Sequence, residues 1–311
     1  MTQLEASSRL GRWWFAPAPP QRLAVLRIAV GLWSLWYLVP RYEMYAKIAR
    51  TKHSLYDPVG LARVLVEPLP PGVFDFLQLA LLGAALLFTL GWKHRVTGPA
   101  FGVLLLGVLS YRNSWSMVYH NDNVLVLHGL VLGFARSADA LSMDAWSRSR
   151  DAGWTYGWPV RLLCAATVLT YFVSGVAKVA SPLGFGWASG DVLRDQIAVD
   201  AVRKRVFGSE ASDLFYGVYD LSLLFLFIGV VTLVVELGAP LFLLGRRAPR
   251  VWALLAFGMH WGILLLMGIT FRYQLSGLVF LPFFPVERPV AWAVDRLRAG
   301  RSDDRPAERT A

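Results

Sequence analysis

Lys178 stands near the end of a long apolar run, Tyr171-Phe172-Val173-Ser174-Gly175-Val176-Ala177-Lys178, just before Ser181-Pro182 and a Gly/Trp-rich turn that passes Trp187 and Gly190 to reach Asp191. An ammonium at membrane depth costs about 3 kcal/mol on insertion scales, so it either faces a protein-lined cavity or snorkels to the headgroups. Two more ionisable residues lie in apolar runs, Arg27 and Glu236. Both are expected in the inner half of the membrane, where they would neutralise one another as a structural ion pair. His260, in Gly258-Met259-His260-Trp261-Gly262, reads as a hydrogen-bonded packing residue, with a base or ligand as the alternative; His128 takes the packing reading. The cluster Tyr119-His120-Asn121-Asp122-Asn123 precedes an apolar helix, where Asp122 or Asn121 can serve as N-cap. That helix starts on the face where the Lys178 helix ends, so a pair between Asp122 and Lys178 across one cavity is the alternative to the N-cap reading. A carboxylate beside the lysine keeps it charged, whereas an apolar cavity favours the neutral amine, which is a usable base.

Other chemistries find no support in the spacing. The sequence contains no HxxxH, no acidic cluster on one helix face, no phosphate-cradling glycine loop and no nucleophile elbow, so no metal site is expected.

The elements that must position these residues are membrane helices. The chain has 311 residues, is 56% hydrophobic and carries 13 Trp, with a mean hydropathy of +0.47. These values place it among all-α polytopic membrane proteins. The first 21 residues lack a short apolar region with a small-residue cleavage site, so the first span is expected to remain as an anchor. The single cysteine, Cys164, lies in an apolar run and leaves no partner for a disulfide.

Hydropathy and breaker residues predict a bundle of about eight transmembrane helices. They fall near Leu23–Val39, Phe74–Leu90, Val96–Ser110, Asn123–Ala135, Pro159–Lys178, Leu221–Leu244, Val251–Ile269 and Leu275–Phe284. The fourth is short unless residues 115–120 extend it, and the eighth, interrupted by Pro282, reads as a buried re-entrant piece. Residues 1–21 form a cytoplasmic segment, 22–285 the transmembrane domain, 286–299 an interfacial amphipathic helix and 300–311 a disordered tail. Two longer loops, 40–72 and 179–220, lie outside and hold enough aromatic residues to pack as caps.

Charge supports an even number of spans. With both termini on one side, that side collects 18 of the 31 Lys and Arg against nine of the 21 acidic residues. The opposite side has 11 of each, so the excess marks the first side as cytoplasmic in a multi-pass protein of the cell membrane. The net charge of +10 is thereby explained by topology and by attraction to anionic lipid, and nucleic acid is not an expected partner.

Four blocks occurring in order carry a family resemblance: Leu26-Arg27-Ile28-Ala29-Val30-Gly31, Ser142-Met143-Asp144-Ala145, Tyr171 to Lys178 with Trp187 and Gly190, and the His260 helix. The set resembles the horizontally transferred transmembrane domain (HTTM) family, related to the membrane portion of vitamin K-dependent gamma-carboxylase, over roughly Arg22 to Pro285. The resemblance implies that Lys178 is the base that deprotonates a hydroquinone on the extracytoplasmic side, with Asp122 and His260 in supporting catalytic roles. Tyr171 and Trp187 would contact the quinone. The chain departs from the carboxylase in placing Asp122 where that enzyme has a histidine. It is also expected to lack the large lumenal domain that recognises the protein substrate.

Three functions follow. The first is a quinol-linked membrane enzyme whose protein or peptide substrate is presented by a separate partner. The second is a non-catalytic maturation or assembly factor for an exported peptide. The third is a lipid-binding bundle in which Lys178 anchors headgroups.

Overall fold

The structure is a computed structural model, and it describes residues 8–115, 118–145, 150–245, 247–293 and 296. Its architecture follows from where proline and glycine interrupt the apolar sequence. Helix α1 is the short Arg9–Trp14, capped by Ser8, whose Oγ accepts from the Gly11 amide at 2.8 Å. Helix α2, Pro20–Leu38, opens with proline at its first position, where no intrahelical N–H is needed. A short α3, Tyr42–Ile48, continues it into the first cap. Helix α4, Pro71–Leu90, again opens on proline and stops at Gly91, whose φ of 64° is the left-handed conformation that favours glycine.

Helix α5, His94–Asn113, begins immediately, and Asp144 caps it from a distance by accepting the Lys93 and His94 amides at 2.9 and 2.8 Å. Helix α6, Asn123–Phe134, packs on α5 through glycines: a Cβ on Gly98 would come within 2.5 Å of the Gly133 carbonyl, and the reverse substitution is equally blocked. Small residues let membrane helices approach this closely.

Helix α7, Trp154–Ala180, is the longest element at 27 residues, about 40 Å. It ends before Ser181-Pro182, because the residue preceding proline is pushed out of the helical region. The second cap contains α8, Asp191–Val206, and α9, Asp213–Val218, and it has a small core of its own around Ile197, Ala201, Phe215 and Phe225. The chain returns through α10, Ser222–Leu237, then α11, Ala239–Phe242, and α12, Ala248–Met267. A last stretch comprises α13, Arg272–Leu275, and a 3₁₀ segment, Leu278–Phe283. Among the described residues there is no sheet, only one antiparallel bridge between Ala18 and Gly153.

The fold is all-α, as expected of a polytopic membrane protein. Among the described residues four helices are long and apolar enough to cross a membrane: the α2–α3 run over Pro20–Ile48, α4, α7 and α12. Four of the eight expected spans are not among them: α5, long enough but less apolar, and α6, 12 residues long, cover the third and fourth, and the sixth and eighth are interrupted. The stretch from Leu221 to Leu244 is broken at Gly238 and Pro240 into α10 and α11, since proline cannot continue the hydrogen-bond ladder. The stretch Leu275–Phe284 is mostly a 3₁₀ segment, Leu278–Phe283, that contains Pro282 and buries Val279, Phe280 and Phe283, consistent with the re-entrant reading. The proposed extension of the fourth span by residues 115–120 is not α-helical in its described part, where only His120 enters a 3₁₀ turn, and residues 116–117 lie outside it. Both loops expected as caps are built from packed helical turns. Residues 287–293 are helical, within the expected interfacial segment, and the expected tail lies outside the described residues.

Candidate functional site

Lys178 occupies the last turn of α7 and Glu236 the last turn of α10. The ammonium donates to both carboxylate oxygens, 2.5 Å to Oε1 and 2.7 Å to Oε2. The helices come together here because position 175 has no side chain: a Cβ on Gly175 would lie 2.8 Å from Glu236 Cβ and 3.0 Å from the Leu237 amide. The Glu236 side chain is 6% exposed and that of Lys178 24%, so the carboxylate is enclosed while the amine keeps an open flank.

That flank faces a cavity of about 530 Å³ between α6, α7 and α12. Tyr171 and His260 stand in the same wall, joined by a 2.7 Å hydrogen bond between the phenol oxygen and Nε2. Phe271 packs beside the imidazole with ring centroids 5.0 Å apart. Asn121 and Gln274 supply further polar groups. His260 Nδ1 and Gln274 Oε1 are buried without hydrogen-bond partners. Part of the wall is formed by Leu127, Leu169 and Val173, which are exposed on the outer surface of the bundle. The cavity is therefore apolar on the side of its exposed helix faces and polar within.

Two pairings read from the sequence are overturned. Glu236 does not meet Arg27, because the break after α10 leaves it beside the end of α7. Arg27, fully buried, instead donates to the carbonyls of Ser137 at 2.9 Å and Leu141 at 2.6 Å. Asp122 does not meet Lys178 either. It accepts from Arg112 at 2.6 Å and from the Tyr37 hydroxyl at 2.9 Å, within a buried cluster behind the cavity. The depth expected for this segment was right, since His120, Asn121 and Asn123 all line the Lys178 cavity. Residues 120–122 form a 3₁₀ turn, and its rotation carries Asp122 away.

Of the other candidates, Trp187 stands outside the cavity wall. Its ring lies 5.8 Å from Nζ of Lys178, and its indole N–H donates to Ser181 Oγ at 3.5 Å. The ring thus screens the ammonium from the cap side. His128 is a packing residue, as expected, held between the Tyr273 hydroxyl at 2.9 Å and Thr167 Oγ1 at 3.0 Å. Sequence reasoning missed Gln274 and Phe271 as wall residues. Their signal was the polar residue Gln274 immediately before the interrupted eighth stretch, where irregular backbone is tolerated only against protein or a cavity.

Comparison with known proteins adds the family. No curated protein and no solved structure matches the chain. The model of the HTTM domain matches residues 15–259, a region that contains Tyr171, Lys178 and Glu236 and stops one residue before His260. With most of its length covered by that match, the chain belongs to the HTTM domain family, a membrane domain related to that of vitamin K-dependent gamma-carboxylase.

Proposed function

We propose that the protein is a quinol-linked membrane enzyme, acting on the extracytoplasmic side of the cell membrane, in which Lys178 moves the proton of a bound hydroquinone. The observation that carries this reading is a single cavity in which an ion-paired lysine, unpartnered polar atoms and aromatic rings converge below an apolar, outward-facing wall. Its volume falls in the range of small-molecule sites, about 300–1,000 Å³, and its lining is mostly apolar with a few convergent polar groups. A hydroquinone matches this lining. Gln274 Oε1 can accept from a ring hydroxyl and His260 Nδ1 can bond a second oxygen, while Phe271 offers a ring face. Exposed Leu169 and Val173 give a lipid tail a route from the bilayer.

When bound, a hydroquinone supplies two electrons and an acidic hydroxyl. The chain's own residues supply the proton path. The ammonium of Lys178 passes a proton to Glu236 Oε1 across 2.5 Å, which frees the Nζ lone pair; Nζ then accepts the hydroxyl proton. The pair would thereby take up one proton in all, with Glu236 neutral and Lys178 again charged at the cavity. Tyr171 fixes the imidazole of His260 so that Nδ1 remains available. The excess of Lys and Arg on the side of both termini supports a cytoplasmic location for them. A protein or peptide that receives the chemistry would be presented by a separate partner.

Mass spectrometry of lipids co-purified from native membrane tests the proposal. Stoichiometric quinone is expected with the wild type and its loss with Lys178→Met/Glu236→Leu, a variant that leaves no unpaired charge. Absence of quinone from both samples, or equal amounts in both, overturns it.

A further inference from the structure

A second cavity, of about 800 Å³, lies at the other end of the bundle, between the start of α5 and the end of α6. Four cations line it, Lys93, Arg95, Arg136 and Arg150, against two carboxylates, Asp139 and Asp144. The carboxylates are already engaged. Asp139 accepts from Arg136 at 2.9 Å, from the Tyr156 hydroxyl at 2.8 Å and faces Arg150 at 3.4 Å, while Asp144 caps α5 through two amides. Among the described residues the side chains of Lys93 and Arg95 have no acidic partner.

His94 lies in the same wall and is 6% exposed. Its Nε2 is held 3.1 Å from the Ala135 carbonyl, and its Nδ1 is buried with no partner. With Nε2–H donating to that carbonyl, Nδ1 is an acceptor, so a ligand's negative charge is met here by the cations and not by the imidazole. The groove continues outward over Val96 and Phe134, both strongly exposed on the bundle surface. Cations at the mouth and an apolar track leading into the bilayer match one ligand class.

We propose that this cavity binds a phosphate group, that of an anionic phospholipid whose acyl chain runs along Val96 and Phe134. Lys93 and Arg95 supply the charge, and the tight Gly98–Gly133 crossing holds α5 and α6 at the spacing that leaves the groove open. The site is independent of the Lys178 cavity.

Thermal unfolding of the full chain in detergent, with and without added ligand, tests it, since a ligand that binds only the folded state raises the midpoint. Phosphatidylglycerol is expected to raise it more than phosphatidylcholine does. In Lys93→Gln/Arg95→Gln the apparent affinity should fall roughly thirtyfold, at about one cation's worth of surface attraction each. The single variants, each removing one exposed charge, should show part of that loss. Stabilisation by inorganic phosphate that is lost in the same variants would keep the site and assign it to a soluble phosphate. Phosphatidylglycerol stabilisation that persists unchanged in the variants, or no effect of either ligand, overturns the proposal.

Discussion

Glu236 receives both of its hydrogen bonds from a single ammonium, that of Lys178. The pair spans two helices, α7 and α10, that can approach only over Gly175. The two residues therefore depend on each other unequally. Lys178 has an open flank toward the cavity, whereas among the described residues Glu236 has no alternative partner.

Removing only the lysine should leave the enclosed carboxylate uncompensated. Lys178→Met is expected to destabilise the protein by about 3–5 kcal/mol, the usual cost of orphaning a buried charge. Adding Glu236→Leu should recover most of that loss without restoring quinone retention. Thermal unfolding of the two variants in detergent checks the first half, and a double variant no more stable than Lys178→Met would show that the pair contributes nothing. Activity measured on the single variant alone would confound folding with chemistry.

Asp122 should behave as a structural residue. It closes a buried cluster with Arg112 and Tyr37, and the guanidinium also lies 4.4 Å from the Tyr119 ring centre. Asp122→Ala strands Arg112 and should cost on the order of 3 kcal/mol or more. Asp122→Asn keeps the shape and an oxygen acceptor, so it should lose less stability and leave ligand retention at the Lys178 cavity unchanged. Loss of retention in a folded Asp122→Asn protein would return this residue to the chemistry.

These residues also show what could be read from the sequence and what could not. The ends of α2 and α4 were legible to within a residue and their starts were placed three residues late, at Leu23 and Phe74, and Lys178 stood out because a cation in an apolar run needs a reason. Depth was legible too, since residues 120–123 reach the cavity that holds Lys178. Azimuth was not. A 3₁₀ turn places neighbouring side chains about 120° apart, so one residue of rotation decides whether Asp122 or Asn121 faces the cavity. The partner of Glu236 was misassigned because the stretch to Leu244 was read as one rod, although Gly238 and Pro240 were visible breakers. Gln274 was hidden for a related reason: short, irregular backbone carries no periodicity that would reveal a wall residue.

The last prediction concerns pH at the far end of the chain. Arg22, in the first turns of α2, donates to both oxygens of Glu287 at 2.8 and 2.6 Å and so ties the segment 287–293 to the bundle. Burial pushes the Glu287 carboxyl up, but the Arg22 hydrogen bond, its own amide and the neighbouring charges outweigh it and hold the group below the usual glutamate range. A carboxyl lowered in the folded state contributes stability that is complete above its unfolded value and is lost as pH falls through the folded one. The attachment of residues 287–293 should therefore be intact at neutral pH and weaken only below about pH 4. Exposed Trp292 offers the readout, through its fluorescence or its accessibility to a soluble quencher. Acidification should raise quenching in the wild type. In Glu287→Gln, quenching should already be raised at neutral pH and should no longer respond to acid. A wild-type transition centred near neutrality, or one retained in Glu287→Gln, would place the pH-sensitive group elsewhere.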